Sequence, residues 1–487
     1  MINEKTVEGL SPESFWKHLA QIAEIPRESG NEAGVREYIL MLARKNILDF
    51  KTDKKGNLLV IHRASVGMEH LPSVALQGHL DMVCEKNSGS SHDFTKDPIH
   101  LIRNGNILKA DGTSAGFDNG VGIAAMCMLM EDTIPHGRRE YLFTVEEETG
   151  LFGANELKSD FISSNILINL DTEESGKLYI GCAGGKQSEG TITPTKEKIP
   201  TNYRKCILSI AGLKGGHSGC DINENRGNAI KLLMNVFEEI HAVTDPRISH
   251  IEGGSKHNAI PREAKVHFHV PEDQIEKIKL ILESAGKLIK DKHSEQETEI
   301  SLEFSVDEKN MDTHVFSLEF QGILLQSLSE LPHGVHKMSE DVPGLVETSS
   351  NLAKITQNDD ILSIMTSHRS LADDELKKIC VKINDIFERN GFTISNAEGY
   401  PAWTPNIQSP ILKKAITIYE SLYGEQPEVK AIHAGLECGI IGEKFPGIDM
   451  ISVGPTIKNP HSPDEFLEID TIPKFLEFLR ALLSEIK

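Results

Sequence analysis

The stretch Val74-Ala75-Leu76-Gln77-Gly78-His79-Leu80-Asp81-Met82-Val83 decides the fold. Val74-Ala75-Leu76 is a short apolar run that reads as a buried strand, and it delivers a His and an Asp, two residues apart, just beyond its end. The arrangement recurs along the chain. Tyr141-Leu142-Phe143-Thr144-Val145 precedes Glu146-Glu147-Glu148, Ile166-Leu167-Ile168-Asn169-Leu170 precedes Asp171, and Met450-Ile451-Ser452-Val453 precedes the loop Asn459-Pro460-His461. Asp118, in Gly116-Phe117-Asp118-Asn119-Gly120, instead opens a helix predicted over Val121 to Met130. In open α/β sheets ligands bind beyond the carboxyl ends of the strands, so these side chains are expected to converge there although remote in sequence.

A single His or Asp after a strand is ordinarily a turn cap, because such side chains bond their local backbone. The recurrence is what carries information. Two His with several carboxylates suit a pair of divalent ions: zinc takes imidazole and carboxylate together, and one carboxylate can bridge two metals. Asp81 lies on the same face of an extended chain as His79, where it can accept the other ring N–H and fix the tautomer of a ligating imidazole. A simple turn cap is the alternative for Asp81.

The set Gly78-His79-Leu80-Asp81, Gly116-Phe117-Asp118-Asn119-Gly120, Glu147-Glu148, Asp171 and His461 resembles the zinc metallopeptidase family that includes carnosinases, aminoacylases and glutamate carboxypeptidases. Within that family, five further motifs resemble the bacterial branch that cleaves Xaa-His dipeptides. They are Gly181-Cys182-Ala183-Gly184-Gly185, Leu213-Lys214-Gly215-Gly216-His217-Ser218-Gly219, Asn258-Ala259-Ile260-Pro261-Arg262-Glu263-Ala264, Val346-Glu347-Thr348-Ser349 and His433-Ala434-Gly435-Leu436-Glu437-Cys438-Gly439. The likeness runs over nearly the whole chain, Asp93-Phe94-Thr95-Lys96-Asp97-Pro98-Ile99 included.

The resemblance implies two divalent metal ions per chain, zinc first, with cobalt or manganese able to substitute. Asp118 would bridge them, His79 and Asp171 would hold one, and Glu148 and His461 the other. Glu147 would be the general base of a metal-bridging hydroxide, and Asp81 would support His79. One carboxylate of the adjacent pair must stay off the metal to accept a proton. Phe117 stands where relatives carry a small residue, which implies altered local packing. The implied reaction is hydrolysis of small dipeptides, above all those ending in His such as β-alanyl-histidine. Two alternatives stay open: an amidohydrolase or aminoacylase removing an acyl group from an amino acid, and a non-catalytic metal-binding protein, which would need the ligands but not a free Glu147.

The chain of 487 residues is long enough for two or more domains, and its formal net charge of −22 argues against nucleic acid as a partner. No apolar run is long enough to span a bilayer, and the first residues lack the basic-then-apolar pattern of a secretory signal, so a cytoplasmic protein without membrane partners is expected. Seven Cys without a C-x-x-C pair read as small buried hydrophobes, Cys182 and Cys438 near the site among them. A homodimer is the one assembly kept open.

Nearly three hundred residues separate Asp171 from His461, which predicts an insertion in the catalytic domain. The expected fold is therefore α/β: a zinc-exopeptidase-like catalytic domain with a central mixed sheet flanked by helices, in parts 1–185 and 399–487, and an inserted α+β lid of two ferredoxin-like modules over 186–398. The first module, about 186–308, reads as strand Cys206–Ile210, helix Ala229–Val243, strands Arg247–Ile251 and Ala264–Val270, helix Gln274–Lys290 and strand Glu299–Val306. The second, about 309–398, reads as helix Val315–Leu331, strands Val346–Ile355 and Ile361–His368 joined by the turn Gln357-Asn358-Asp359-Asp360, and helix Asp374–Arg389 ended by Asn390-Gly391. Family members with one module borrow a lid residue from a second subunit; a duplicated lid would supply it within one chain.

Three lid residues, with Gly435 of the second catalytic part, are candidates for touching substrate. His217 sits among glycines, and the resemblance makes it the donor to the oxyanion of the tetrahedral intermediate. Asn258, Arg369 and Gly435 are assigned to substrate binding, with the planar fork of Arg369 gripping the C-terminal carboxylate. Read from the residues alone, His217 fits a turn, Asn258 a cap and Arg369 a surface charge.

Overall fold

Four parallel strands form the centre of the catalytic scaffold in this computed structural model, which describes residues 2–307, 312–340, 342–358 and 360–486. They are Arg139–Thr144, Val74–His79, Ile166–Asn169 and Asp449–Ser452, in that spatial order, each hydrogen-bonded in parallel to the next. Antiparallel strands Leu58–His62 and Asp49–Thr52 extend one side, and Lys177–Cys182 and Glu428–Ile432 the other, giving an eight-stranded mixed sheet. Val74–His79 and Arg139–Thr144 are buried at every position, as strands covered on both faces must be. Helix Phe117–Met130 is buried at every residue but Asp118, so it serves as core rather than as an amphipathic cover. Asp118 and Asn119, which precede the predicted span Val121 to Met130, have non-helical dihedrals and are joined by a cis peptide bond. Phe117 packs in the hydrophobic core at 1 % exposure, which is where the departure from a small residue is absorbed.

A buried polar ladder crosses the carboxyl ends of the four parallel strands, one residue from each. The Ser452 hydroxyl donates to Asn169 Oδ1, and Asn169 Nδ2 donates to Gln77 Oε1 at 2.6 Å. Gln77 Nε2 and the Thr144 hydroxyl both donate to Glu437 Oε2, at 2.5 and 2.6 Å. These bonds lock the strand ends immediately before the candidate ligands, while Glu437 Oε1 is buried without a hydrogen-bond partner. A separate four-stranded sheet, ordered Ile457–Lys458, Phe466–Glu468, Ile107–Ala110 and Leu101–Asn104, pins the hairpin that carries His461 to the segment leading into Asp118.

The chain divides into two units, Met1–Gly181 with Trp403–Ala431 and Leu436–Lys487, and Cys182–Ala402 with Ile432–Gly435. The sequence reading put the boundaries at 185/186 and 398/399 and did not contain the short return Ile432–Gly435. The inserted unit holds one nine-stranded sheet. One half runs Ser301–Asp307, Tyr203–Ala211, Ala264–Pro271, Arg247–Gly253, the 4-1-3-2 order of a ferredoxin-like β-α-β-β-α-β unit with helices Ala229–Val243 and Ile275–His293. The other half runs Val346–Asn358, Ile361–Ser370, Gly184–Ile192, Thr393–Asn396. It has the same order only if Gly184–Ile192 counts as its first strand. The expectation of two consecutive modules is thereby corrected: the first module is nested inside the second, between its first strand and its first helix. The assumed boundary at 308/309 lies outside the described residues, as does Asp359 of the expected turn. The helix expected from Val315 divides into strand His314–Phe316 and helix Leu318–Glu330, because Ser317 caps the helix by accepting from Phe320 N. Strand Gly334–Met338, paired with Val346–Asn358, is an addition.

Candidate active site

His79, at the last position of its strand and 1 % exposed, points Nε2 at Asp118 Oδ1, 2.9 Å away, and at Asp171 Oδ1, 3.3 Å away. The other oxygen of Asp118 faces a second imidazole: His461 Nε2 lies 3.0 Å from Asp118 Oδ2 and 3.1 Å from Glu148 Oε2. Two groups of potential ligands result, His79 with Asp118 and Asp171, and Asp118 with Glu148 and His461. Asp118 belongs to both and offers one oxygen to each. A third grouping, His79 with Glu147 and Glu148, lies within the same reach. Glu148 Oε1 is buried without a hydrogen-bond partner, a cost that a cation would remove. Imidazole and carboxylate donors in this proportion fit a pair of zinc-like ions.

The electrostatics follow from crowding. Burial alone would depress His79 and His461, but the facing carboxylates win, raising His79 well above its ordinary value and His461 to about 11. Burial, reinforced by Asp118 and Glu148, pushes Asp171 up to about 7. Burial likewise raises Glu147 well above the usual carboxylate range, with Glu148, Asp171 and Glu437 adding to the effect. Negative charge is in excess of what the imidazoles neutralise, which is the condition of a cation site.

Asp81 is fully buried and does two things. Its Oδ1 sits 3.4 Å from His79 Nδ1, the supporting place the spacing suggested. Its two oxygens also accept the backbone N–H groups of Glu147 and Glu148, each at 3.1 Å, and Oδ2 takes the Ser29 hydroxyl at 2.7 Å. Burial opposes its charge, yet bonds from His79, Ser29 and the Glu147 amide hold it at about 2. Asp81 thus fixes the loop bearing both glutamates as well as the imidazole. Backbone at φ 48° for Glu146 and 59° for His461 is left-handed, a conformation that non-glycine residues adopt chiefly where the surroundings impose it.

With this geometry in view, relatives are informative. The family model described as Peptidase family M20/M25/M40 matches residues 75–485. The chain belongs to that family. This M20 chain is 36 % identical over 478 residues to the cytosol non-specific dipeptidase of Escherichia coli, covering 98 % of each. It superposes on the crystal structure of aminoacylhistidine dipeptidase from Vibrio alginolyticus with a TM-score of 0.88 at 38 % identity, covering 99 % of this chain and 98 % of that one. Human carnosine dipeptidase 1, at 13 % identity and a TM-score of 0.50, shares the fold.

Two site-building residues of the M20 chain escape a reading of motifs. Glu465 is 1 % exposed and accepts four consecutive backbone N–H groups: Oε2 those of Ala115 and Gly116 at 2.7 and 2.9 Å, Oε1 those of Phe117 and Asp118 at 2.7 and 3.3 Å. One carboxylate therefore shapes the turn that presents Asp118. Arg27, 2 % exposed, donates from Nη1 to the carbonyls of Leu80 and Asp81 at 3.0 and 2.5 Å and from Nη2 to that of Gly116, tying the His79 loop to the Asp118 loop. Glu465 lies four residues from His461, a hint its spacing offered; Arg27 gives no local signal. Cys182 and Cys438 are fully buried.

The inserted unit gathers its own constellation. His217 Nδ1 accepts the N–H groups of Gly219 and Cys220, at 3.3 and 3.1 Å, which puts the ring proton on Nε2. That Nε2 stands 3.4 Å from Arg369 Nη2, so the imidazole and the guanidinium sit side by side. Asn258 is held close by, its carbonyl accepting from Ser218 N at 2.8 Å and its neighbour Ala259 bridged to His217. Arg369 is 9 % exposed, not a surface charge, and Nη1 donates to Tyr400 Oη at 2.7 Å. Buried His433 bonds Ser349 Oγ through Nε2 at 2.7 Å. Gly435 lies against the Tyr400 ring: a Cβ there would come within 2.7 Å of it.

Proposed function

We propose that this chain is a dinuclear metal-dependent dipeptidase, with Asp118 bridging the two ions, His79 and Asp171 completing one site and Glu148 and His461 the other. The observation that carries the reading is the division of one carboxylate between two imidazoles, Asp118 Oδ1 to His79 and Oδ2 to His461. When bound, the two ions, with zinc as the expected metal, supply Lewis acidity for the scissile carbonyl and acidify the attacking water. Glu147 would take the proton of that water and return it to the leaving amine. Asp81 keeps the Glu147–Glu148 backbone and His79 in place.

From the inserted unit, His217 Nε2 is the proposed donor to the oxyanion, and Arg369 and Asn258 the proposed grips on the substrate. The buried guanidinium of Arg369 donates to the Tyr400 hydroxyl, and among the described residues no carboxylate is paired with it. A C-terminal carboxylate would provide that counter-charge; since an N-acyl amino acid carries one as well, the dipeptidase reading is favoured over an acyl-releasing amidohydrolase by the likeness to the Escherichia coli and Vibrio dipeptidases. The two most similar relatives named above differ in the breadth their names describe, and we propose Xaa-His dipeptides as preferred among a wider set. Action in the cytosol accords with the name of the Escherichia coli relative; among the described residues no helix is long and apolar enough to cross a membrane. The test is turnover of a dipeptide panel, β-alanyl-histidine included, by purified protein before and after chelation and with zinc, cobalt or manganese restored. Two ions bound per chain at full activity are expected; full activity with one refutes the dinuclear reading.

A further inference from the structure

We infer that Tyr400 is a positioning residue that sets the guanidinium of Arg369 toward the substrate carboxylate, and that Gly185 and Gly435 are glycine because its ring must occupy the space between them. The inference rests on the assignment of Arg369 to the substrate's C-terminal carboxylate.

The argument begins with strand register. Arg369 pairs with Gly185 across the sheet, and Gly185 in turn bridges to Tyr400 by two backbone bonds, Gly185 N to Tyr400 O at 3.0 Å and Tyr400 N to Gly185 O at 2.9 Å. Tyr400 and Arg369 are therefore not adjacent: they are separated by the width of one strand, roughly 10 Å between backbones at about 4.8 Å per strand. The phenol and the guanidinium meet only because the intervening residue has no side chain. A Cβ on Gly185 would stand 2.6 Å from Tyr400 Cζ and Oη, inside van der Waals contact. On the other flank a Cβ on Gly435 would meet Cε2 of the same ring at 2.7 Å. Two glycines from segments 250 positions apart thus clear one slot, and Tyr400 fills it.

Within that slot Tyr400 Oη accepts from Arg369 Nη1 at 2.7 Å, while Arg369 Nη2 lies beside His217 Nε2 and Arg369 Nε is buried without a partner. Accepting one N–H fixes the plane of the guanidinium and leaves Nε and Nη2, the edge suited to a bidentate carboxylate, for another ligand. Tyr400 acts through Arg369, and Gly435 acts through Tyr400. This replaces a direct substrate contact for Gly435 with a steric one.

The test compares free dipeptides with the same dipeptides amidated at the C-terminus. Tyr400→Phe keeps the ring and removes the acceptor; KM for the free dipeptide should rise by roughly tenfold, with kcat within about twofold and kcat/KM for the amidated substrate unchanged. Gly435→Ala should give the same split, and its effect should vanish when introduced into Tyr400→Ala, because the ring it displaces is gone. Wild-type kinetics for Tyr400→Phe, beside a selective loss in Arg369→Ala, would overturn the inference while sparing the carboxylate reading. An undiminished Gly435→Ala effect in the Tyr400→Ala background would restore a direct role to Gly435 and overturn the steric one. If Arg369→Ala loses both substrates equally, the carboxylate reading falls and this inference with it.

Discussion

Replacing Glu465 by Gln should loosen the metal centre although Glu465 touches no ion. Its two oxygens accept four backbone N–H groups, two each, from Ala115 to Asp118. Gln keeps one acceptor oxygen and turns an NH2 group, a donor, toward the other pair. Two buried N–H groups then lose their partner, at about 1 to 3 kcal/mol each, so the turn is destabilised by roughly 2 to 6 kcal/mol if it stays in place. It will not stay in place, because moving is cheaper, and the turn's last residue is Asp118. Part of the cost therefore appears as weakened metal binding: about 2 to 4 kcal/mol, or roughly thirty- to a thousand-fold, and in both sites at once, since Asp118 is common to them. The assay is zinc affinity by competition with a chromophoric chelator, with thermal unfolding of the metal-free protein alongside. Asp464→Asn, one residue away and exposed, is the control. Wild-type affinity for both ions in Glu465→Gln would refute the claim that this carboxylate positions Asp118; loss of one ion alone would refute the bridging assignment.

Three further outcomes are expected. Glu147→Gln should keep both ions and lose several orders of magnitude in turnover, whereas Glu148→Gln should lose or weaken one ion; equal metal content in the two would show that base and ligand are wrongly divided. His217→Ala should cost about 2.7 to 4 kcal/mol of transition-state stabilisation, roughly a hundred- to a thousand-fold in turnover, with metal content unchanged by direct analysis, and a lost ion would make His217 a ligand instead. Fully buried His368 is lowered from 6.5 to about 3 by burial, with His336 adding. The folded state thus binds fewer protons, so its contribution is complete above pH 6.5 and is lost as pH falls toward 3. At pH 5 the loss is up to about 2 kcal/mol. Denaturant unfolding of His368→Asn should show a shallower acid limb than wild type, and an identical limb would exclude His368 as its source.

What the sequence made legible was set by how locally each feature is determined. Four of the five candidate ligand positions stand out because they come after a largely apolar run such as Ile166–Leu170, where burial on both faces favours apolar residues, whereas Asp118 sits at the start of a helix. The order of the modules could not be found in this way. Gly184–Ile192 reads Gly-Gly-Lys-Gln-Ser-Glu-Gly-Thr-Ile, with neither alternation nor an apolar run, and so leaves no strand signature. It is a strand because its neighbours on both sides, Ile361–Ser370 and Thr393–Asn396, supply the hydrogen bonds. Its composition has a different cause, visible only in three dimensions. Gly185 must let Tyr400 reach Arg369, and Gly190 faces the ring of Phe387 so closely that a Cβ would stand 2.4 Å from it. Glycine, which in a sequence argues against a strand, here records where a large side chain passes over one. Glu465 and Arg27 escape for a related reason. Each is a charged residue in a core, and what pays for its burial is backbone of loops distant in sequence, four amides in one case and three carbonyls in the other, to which no spacing rule refers. The proposed chemistry of the site was therefore written in its candidate ligands, while the groups that hold those side chains in place were written only in the fold.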